Sequence, residues 1–454
     1  RMVQRYLPDP FLFALILTAI AFLLGIAVNH DTPMGMVLHW GDGLWKYLAF
    51  SMQMVLVVVL GNVLAVAPVF QRLLKRLAEI PKSPKQAVAF CTLVAGIACM
   101  IQWGFGLVIG ALFAKELAKR VRGVDYRLLI AAAYSTFMLT VPTSSMILKA
   151  ASNPDDLAVV TNGAVTEVIS IFRTAYYPPT MIALIVMFIG LIILNANMHP
   201  SPDETFCIDP VILEKEEAAE KAAAEAEANL DRKSLTPAEK IENSRIVSII
   251  AFVLGAVYLI HYFAVNGWAL NIDIMNLMLL TVGMLLHRTP IAYVRALGNA
   301  TKNASGIILQ FPFYAGIMGM MVGVNAAGMS LAATISDAMV SIATVHTYPM
   351  FSFLSAAIVN MFIPSAGGQW GVQAPIMFPA GKILGVDPAI TTVALTWGDT
   401  WTNMIQPFWA LPALGIAGLK VRDIMGFCVV VLIFTGIIIV LSLLAWIYIF
   451  GCTV

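Results

Sequence analysis

The residues of this chain whose types could do chemistry stand in four polar stretches that interrupt long apolar runs. They are Gln102-Trp103-Gly104-Phe105-Gly106, Thr140-Val141-Pro142-Thr143-Ser144, Ser365-Ala366-Gly367-Gly368-Gln369-Trp370 and Asp399-Thr400-Trp401-Thr402-Asn403-Met404-Ile405-Gln406-Pro407. None contains Lys or Arg. Hydroxyls, amides and the free N–H groups at helix ends bind an anion such as a carboxylate without a buried cation. The candidate substrate-binding set is therefore Gln102, Trp103, Gly104, Gly106, Thr140, Pro142, Thr143, Ser144, Ser365, Ala366, Gly367, Gly368, Gln369, Trp370, Thr400, Asn403 and Gln406. Asp399 is the acidic residue among them, and an ionisable group inside an apolar run is a functional candidate by default. Either it engages an ion, by ligating Na⁺ near Asn403 or by exchanging H⁺, and so could serve ion coupling, or it caps the half-helix that follows. Trp103 and Trp370 either wall an apolar tail or anchor their loops. Lys149 and Lys382 end apolar runs and read as snorkelling to an interface.

Covalent and metal chemistry find no support. The six His and five Cys show no metal-ligand spacing, and neither Gly-x-Ser-x-Gly nor His-Glu-x-x-His occurs. We expect no catalytic residue, no metal, no cofactor and no enzyme activity.

The elements that position these stretches must be membrane helices. Of 454 residues, 60% are hydrophobic and 12% charged, with a mean hydropathy of +0.85, against about 25% charged in soluble domains. Apolar runs near the spanning length of about 20 residues recur from Pro10 onward, which predicts an all-α polytopic membrane protein with the lipid bilayer as its surroundings. A net charge of +1 predicts no nucleic-acid partner.

Basic residues orient the spans, because short cytoplasmic loops collect Lys and Arg. Arg1 and Arg5 place the N-terminus in the cytoplasm, and Arg72, Lys75, Arg76, Lys82 and Lys85 mark the next cytoplasmic loop. The run from Ala87 to Ala114 is basic on both sides, since Lys115, Lys119, Arg120, Arg122 and Arg127 follow it. It reads as a re-entrant hairpin over about 87–120 that opens to the cytoplasm, with one ordinary crossing as the competing reading. A broken helix over about 128–149 follows, because Pro142 and its polar neighbours unwind the chain. Such backbone survives at membrane depth only beside protein or a water-filled cavity. Residues 1–200 form a first repeat, and 201–245 a cytoplasmic linker carrying twelve of the chain's 26 acidic residues. An extra span at 246–270 precedes a second repeat, 271–454.

The second repeat has its own hairpin, about 350–383, and its own broken helix, about 389–414. Gly123-Val124-Asp125 matches Gly385-Val386-Asp387 at an offset of 262 (385 − 123), which also pairs Gly106 with Gly368 and Gly61 with Gly323. Parity makes the repeats inverted: the extra span starts the second copy on the opposite side, so its hairpin opens outward and the C-terminus is periplasmic. Inverted repeats bring tips and breaks together near the midplane, where transporters hold substrate.

The motifs Phe362-Ile363-Pro364-Ser365-Ala366-Gly367-Gly368-Gln369-Trp370-Gly371-Val372-Gln373-Ala374-Pro375, Thr396-Trp397-Gly398-Asp399 and Asn403-Met404-Ile405-Gln406-Pro407 resemble the bacterial short-chain fatty acid transporters of the AtoE type, within the ion transporter superfamily. The resemblance implies cation-coupled uptake of acetoacetate, butyrate or similar monocarboxylates across the bacterial inner membrane. It also implies symport by a homodimer with an elevator mechanism. The moving domain would comprise about Ala87 to Ser152 and Met350 to Leu414, with the remaining spans as scaffold. Dicarboxylate members of the superfamily carry Ser-Asn-Thr at their tips, where this chain has Gln102-Trp103-Gly104 and Ser365-Ala366-Gly367. The alternatives are a di- or tricarboxylate or gluconate symporter and, from another class, a passive anion channel.

Overall fold

The computed structural model describes residues 10–46, 48–101, 103–152, 154–208, 218, 235–267, 272–302 and 305–453. Proline fixes the start of many helices. Its ring presets the helical φ, and its missing N–H falls where no intrahelical acceptor exists. Thus α1 (Pro10–Ala27), α2 (Pro33–Lys46), α3 (Leu48–Ala65), α4 (Pro68–Leu77), α5 (Pro84–Ile101) and α6 (Trp103–Arg120) follow one another closely. Next come α7 (Tyr126–Ser135), two 3₁₀ turns (Thr136–Leu139, Val141–Thr143), α8 (Ser145–Ser152), α9 (Pro154–Val160) and α10 (Pro178–Asn197). Within the acidic linker only residues 201–208, 218 and 235–245 are described, including the short helix α11 (Pro237–Glu242); Glu214, Glu216 and Glu217 lie outside them.

The second half holds α12 (Arg245–Asn266), α13 (Ile272–His287), α14 (Pro290–Thr301), α15 (Ser305–Val322) and α16 (Leu331–Val340). It continues with α17 (Tyr348–Asn360), α18 (Ala366–Ile383), α19 (Pro388–Thr402), α20 (Ala410–Ala417) and α21 (Val421–Ala445), which runs on as a π-helix to Gly451. The element order α1 to α8 recurs in α13 to α20: Pro10 and Ile272, like Tyr126 and Pro388, are 262 residues apart (272 − 10, 388 − 126). Helices α5, α10, α12 and the last one are each long and apolar enough to cross a membrane.

The matched tripeptides do matched work. Gly123 and Gly385 both adopt φ +72°, where a side chain is strained. The following aspartates cap α7 and α19: Asp125 accepts from the Leu128 N–H at 2.9 Å, and Asp387 from the Ala389 N–H at 2.8 Å. Each start is also tied to chain that follows a long apolar helix, α10 or α21. The Tyr126 N–H donates to the Phe206 carbonyl (2.8 Å), and the Asp387 N–H to the Cys452 carbonyl (2.7 Å).

Two groups of helices pack among themselves. In one, α15 lies on α1, α2 and α3, while α13 and α14 cover α3 and α12 packs on α13. In the other, α5 pairs with α6, α17 with α19, and α18 packs on α19. Helices α10 and α21 belong to this second group, packing on each other and on α5 and α7. The sequence expectation counts both among the scaffold spans. A buried polar node explains the allegiance of α10, since Asn195 Nδ2 donates to Thr92 Oγ1 (3.1 Å) on α5 and to Ser135 Oγ (2.9 Å) on α7. Such bonds hold helices together where burial of apolar surface in lipid offers no drive.

Two features differ from expectation, the second turn and the helices flanking the hairpins. The second hairpin turns at Met361–Ser365, and Gly367 to Gly371 lie inside α18, because Ser365 caps the helix early by accepting from the Gly368 N–H. Pro375 and Pro379 stay within α18: Pro379 lacks the N–H that would pair with the Pro375 carbonyl, and Asn162 Nδ2 donates to that carbonyl instead at 3.1 Å. Helices α4 and α16, unforeseen as separate elements, lie beside the hairpin arms, α4 against α6 and α16 against both α17 and α18.

Candidate functional site

The first break is a backbone unwinding in place. Helix α7 ends at Ser135, and the hydroxyls of Thr136, Thr140 and Thr143 donate back to the carbonyls of Ala133 (2.7 Å), Phe137 (2.7 Å) and Thr140 (3.1 Å). Pro142 then prevents the chain from resuming an α-helix until Ser145. Ser144, buried, is reached by the Met146 N–H at 3.4 Å. The second break runs from Asn403 to Trp409, with Gln406 Oε1 accepting from the Phe408 N–H at 2.6 Å.

The two breaks touch. The Tyr134 hydroxyl donates to the Asn403 carbonyl at 2.6 Å, across 269 residues of sequence. Asn360, at the end of α17, donates from Nδ2 to Thr402 Oγ1 (3.0 Å) and Asn403 Oδ1 (2.8 Å), joining the second hairpin to the second break. The first hairpin arrives on the same break through Trp103, whose ring lies 4.8 Å from Trp409 and 6.4 Å from Phe137. Phe137 stacks on Trp409 at 5.8 Å. Finally, α8 packs on α18 and α19, so the first break also meets the second hairpin.

Not every candidate joins this group. Trp370 is buried edge-on to Phe378 (5.3 Å) within its own helix, so the two tip tryptophans pack in different places. Gly106 serves the contact between hairpin arms, since a Cβ there would stand 2.5 Å from the Cys99 backbone. Thr400 lies in α19 with its hydroxyl turned back to the Thr396 carbonyl (2.8 Å). Asp399 also lies inside α19, short of the break, and α20 is preceded by Trp409, which excludes the capping role. Gln102 lies outside the described residues. Gly104 is buried at the start of α6, and Ala366, Gly367 and Gly368 are half-buried in the first turn of α18.

Polar side chains behind the tips complete the network. Gln369 Nε2 donates to the Ala356 carbonyl (2.9 Å) and to Gln373 Oε1 (2.7 Å), and Gln373 Nε2 donates to Ser355 Oγ (3.1 Å). Four buried atoms here have no hydrogen-bond partner among the described residues: the acceptors Asn360 Oδ1, Gln369 Oε1 and Asp399 Oδ1, and the donor Gln406 Nε2. An unmet buried polar atom costs about 1–3 kcal/mol, so each of the four is a candidate to meet a ligand. Sequence reading passes over Tyr134, Asn360, Ser355 and Gln373. The signal for the last three is a polar residue inside an apolar run beside a tip; Tyr134 gives none.

Described residues that form helices and no strand, with several apolar helices of membrane length, define an integral membrane protein, and comparison with known proteins makes it a transporter. A family model described as "Short chain fatty acid transporter" matches residues 1–446. Two proteins named "Putative short-chain fatty acid transporter" are similar over nearly their whole length. The one from Escherichia coli (strain K12) is 40% identical over 98% of this chain and 97% of its own. That of Haemophilus influenzae is 42% identical over 97% of each. The chain belongs to the short-chain fatty acid transporter family, which is a family of transporters and not of enzymes. Among solved structures, the Alcanivorax borkumensis YdaH transporter aligns over 97% of this chain and 98% of its own, at 14% identity and a TM-score of 0.45.

Proposed function

We propose that this protein is a secondary active transporter that carries acetoacetate, butyrate or similar short monocarboxylates across the bacterial cytoplasmic membrane, coupled to Na⁺ or H⁺. The observation that carries the reading is the meeting of both breaks and both hairpins around Tyr134, Asn403 and Trp409. The rings of Trp103, Phe137 and Trp409 wall a short acyl tail, each buried methylene stabilising binding by about 0.8 kcal/mol. The Ser144 and Ser365 hydroxyls, whose oxygens accept from backbone N–H groups, and the Gln406 amide meet the carboxylate, and Asp399, Asn360 and Gln369 offer oxygens to the coupling cation, a hard ion that prefers such ligands.

Helix α5 is 18 residues long, about 27 Å at 1.5 Å per residue, so length alone would let the first hairpin cross. Contact of Trp103 with the interior breaks favours a tip that stops at mid-depth. Inverted repeats then give elevator motion its two equivalent end states: the hairpin group moves against the α1, α2, α3, α13 and α15 group, with α4 and α16 as connecting arms, in a homodimer. The N-terminus is cytoplasmic and the C-terminus periplasmic.

Purified protein in liposomes tests this. Labelled butyrate is expected to rise above its equilibrium level only under an imposed Na⁺ or pH gradient. Equilibration without accumulation would favour the passive channel, and no uptake would dismiss the carboxylate reading.

A further inference from the structure

The tip of the second hairpin, Met361–Ser365, is met by a cation that the tip itself lacks. Helix α8 presents Ser145 and Lys149, four residues apart and so on one face, to the first turn of α18. A Cβ added at Gly367 would stand 3.5 Å from Lys149 Nζ and 3.8 Å from Ser145 Oγ, which puts ammonium and hydroxyl together at the edge of the tip. Lys149 is exposed, so its side chain is not enclosed by the helices around it. Its place at the end of an apolar run suggests a snorkelling residue; the fold turns it toward the second hairpin instead. Helix α8 starts directly from the first break, so Lys149 stands one helical turn along from it.

We propose that Lys149 is the charge partner of the transported carboxylate, which it holds with the Ser145 hydroxyl against Gly367. This deepens, and rests on, the carboxylate-transporter reading above. One carboxylate oxygen accepts from the ammonium and the Ser145 hydroxyl, the other is left to the neutral donors of the breaks and tip, and the acyl tail points away from the pair. A charge-assisted bond of this kind is about twice as strong as a neutral one. It also gives the site a reason to reject uncharged isosteres. Gly367 leaves room for the carboxylate, and a methyl group there would meet its neighbours only at ordinary contact distances, so Gly367→Ala tests the space without straining the fold.

The test measures binding of butyrate and of its neutral isostere butyramide to purified full-length protein. The variants are Lys149→Met, Lys149→Arg and Gly367→Ala, with melting temperature recorded for each. Lys149→Met is expected to weaken butyrate by about 10- to 100-fold, and to shrink the preference for butyrate over butyramide by a similar factor. Lys149→Arg should restore most of both. Gly367→Ala should weaken butyrate at an unchanged melting temperature, and it serves if Lys149→Met does not fold. Wild-type affinity and undiminished charge discrimination in Lys149→Met, or in a folded Gly367→Ala, overturn the assignment of Lys149 alone. Failure of the wild-type protein to bind any short carboxylate overturns the transporter reading and this inference with it.

Discussion

Asp399→Asn is expected to abolish accumulation of substrate against its gradient while the protein stays folded and still binds carboxylate. Asp399 is 5% exposed, and its Oδ1 has no hydrogen-bond partner among the described residues. An isolated charge in such a place is costly, so the carboxyl must be neutralised by a proton or by a bound cation. Under the proposed function, loss and gain of that proton or cation is the step that draws on the ion gradient. Asparagine keeps the shape and one oxygen but offers neither a titratable site nor a negative charge. The variant should therefore bring labelled butyrate to equilibrium and no further under a gradient that drives the wild-type protein above it. Full concentrative uptake by Asp399→Asn would move the coupling charge elsewhere.

The second large effect concerns the joint on which Asp399 is carried. Gly398 lets α19 approach α17 so closely that a Cβ would lie 2.4 Å from the Phe353 carbonyl oxygen and 2.8 Å from the Ala357 nitrogen. Both are backbone atoms, which have no rotamer to give. Gly398→Leu must push the two helices apart, breaking the bonds from Asn360 to Thr402 and Asn403, and should cost about 3 kcal/mol of stability. Gly371 is the control: it lies on α18 with nothing within 4 Å of an added Cβ, so Gly371→Leu should leave the melting temperature in detergent unchanged. Equal melting temperatures for the two variants would mean that α17 and α19 are not packed as described.

The parts of this architecture legible in the sequence are those written in local backbone chemistry. Pro142 amid hydroxyls and the polar run ending at Gln406-Pro407 locate the breaks, because a proline removes a backbone donor and its polar neighbours supply local partners for the unwound chain. The Gly-Val-Asp tripeptides locate the starts of α7 and α19, since a positive φ and a cap are decided within a few residues. What depends on distant partners is not legible. Tyr134 resembles any aromatic in a packed helix until its hydroxyl is found on Asn403. The allegiance of α10 rests on Asn195, whose partners lie 60 and 103 residues away. The polar neighbours of Asp399 suggest that it stands in the break, yet Thr396, Thr400 and Thr402 all turn their hydroxyls to carbonyls one helical turn back, which lets α19 run on as a helix beyond it. Distance from a span's end suggests that Lys149 snorkels, whereas the turn of the second hairpin decides what it faces.

Cysteine substitution at Thr143 and Ser365 tests the joint site most directly, in a background with Cys207, the exposed native cysteine, replaced by serine; the other four are buried. One position lies in the first break and the other at the second tip. Saturating butyrate should slow labelling of both by a small water-soluble thiol reagent. If butyrate protects neither, or if both are accessible only to lipid-phase reagents, the breaks and tips do not form one substrate site.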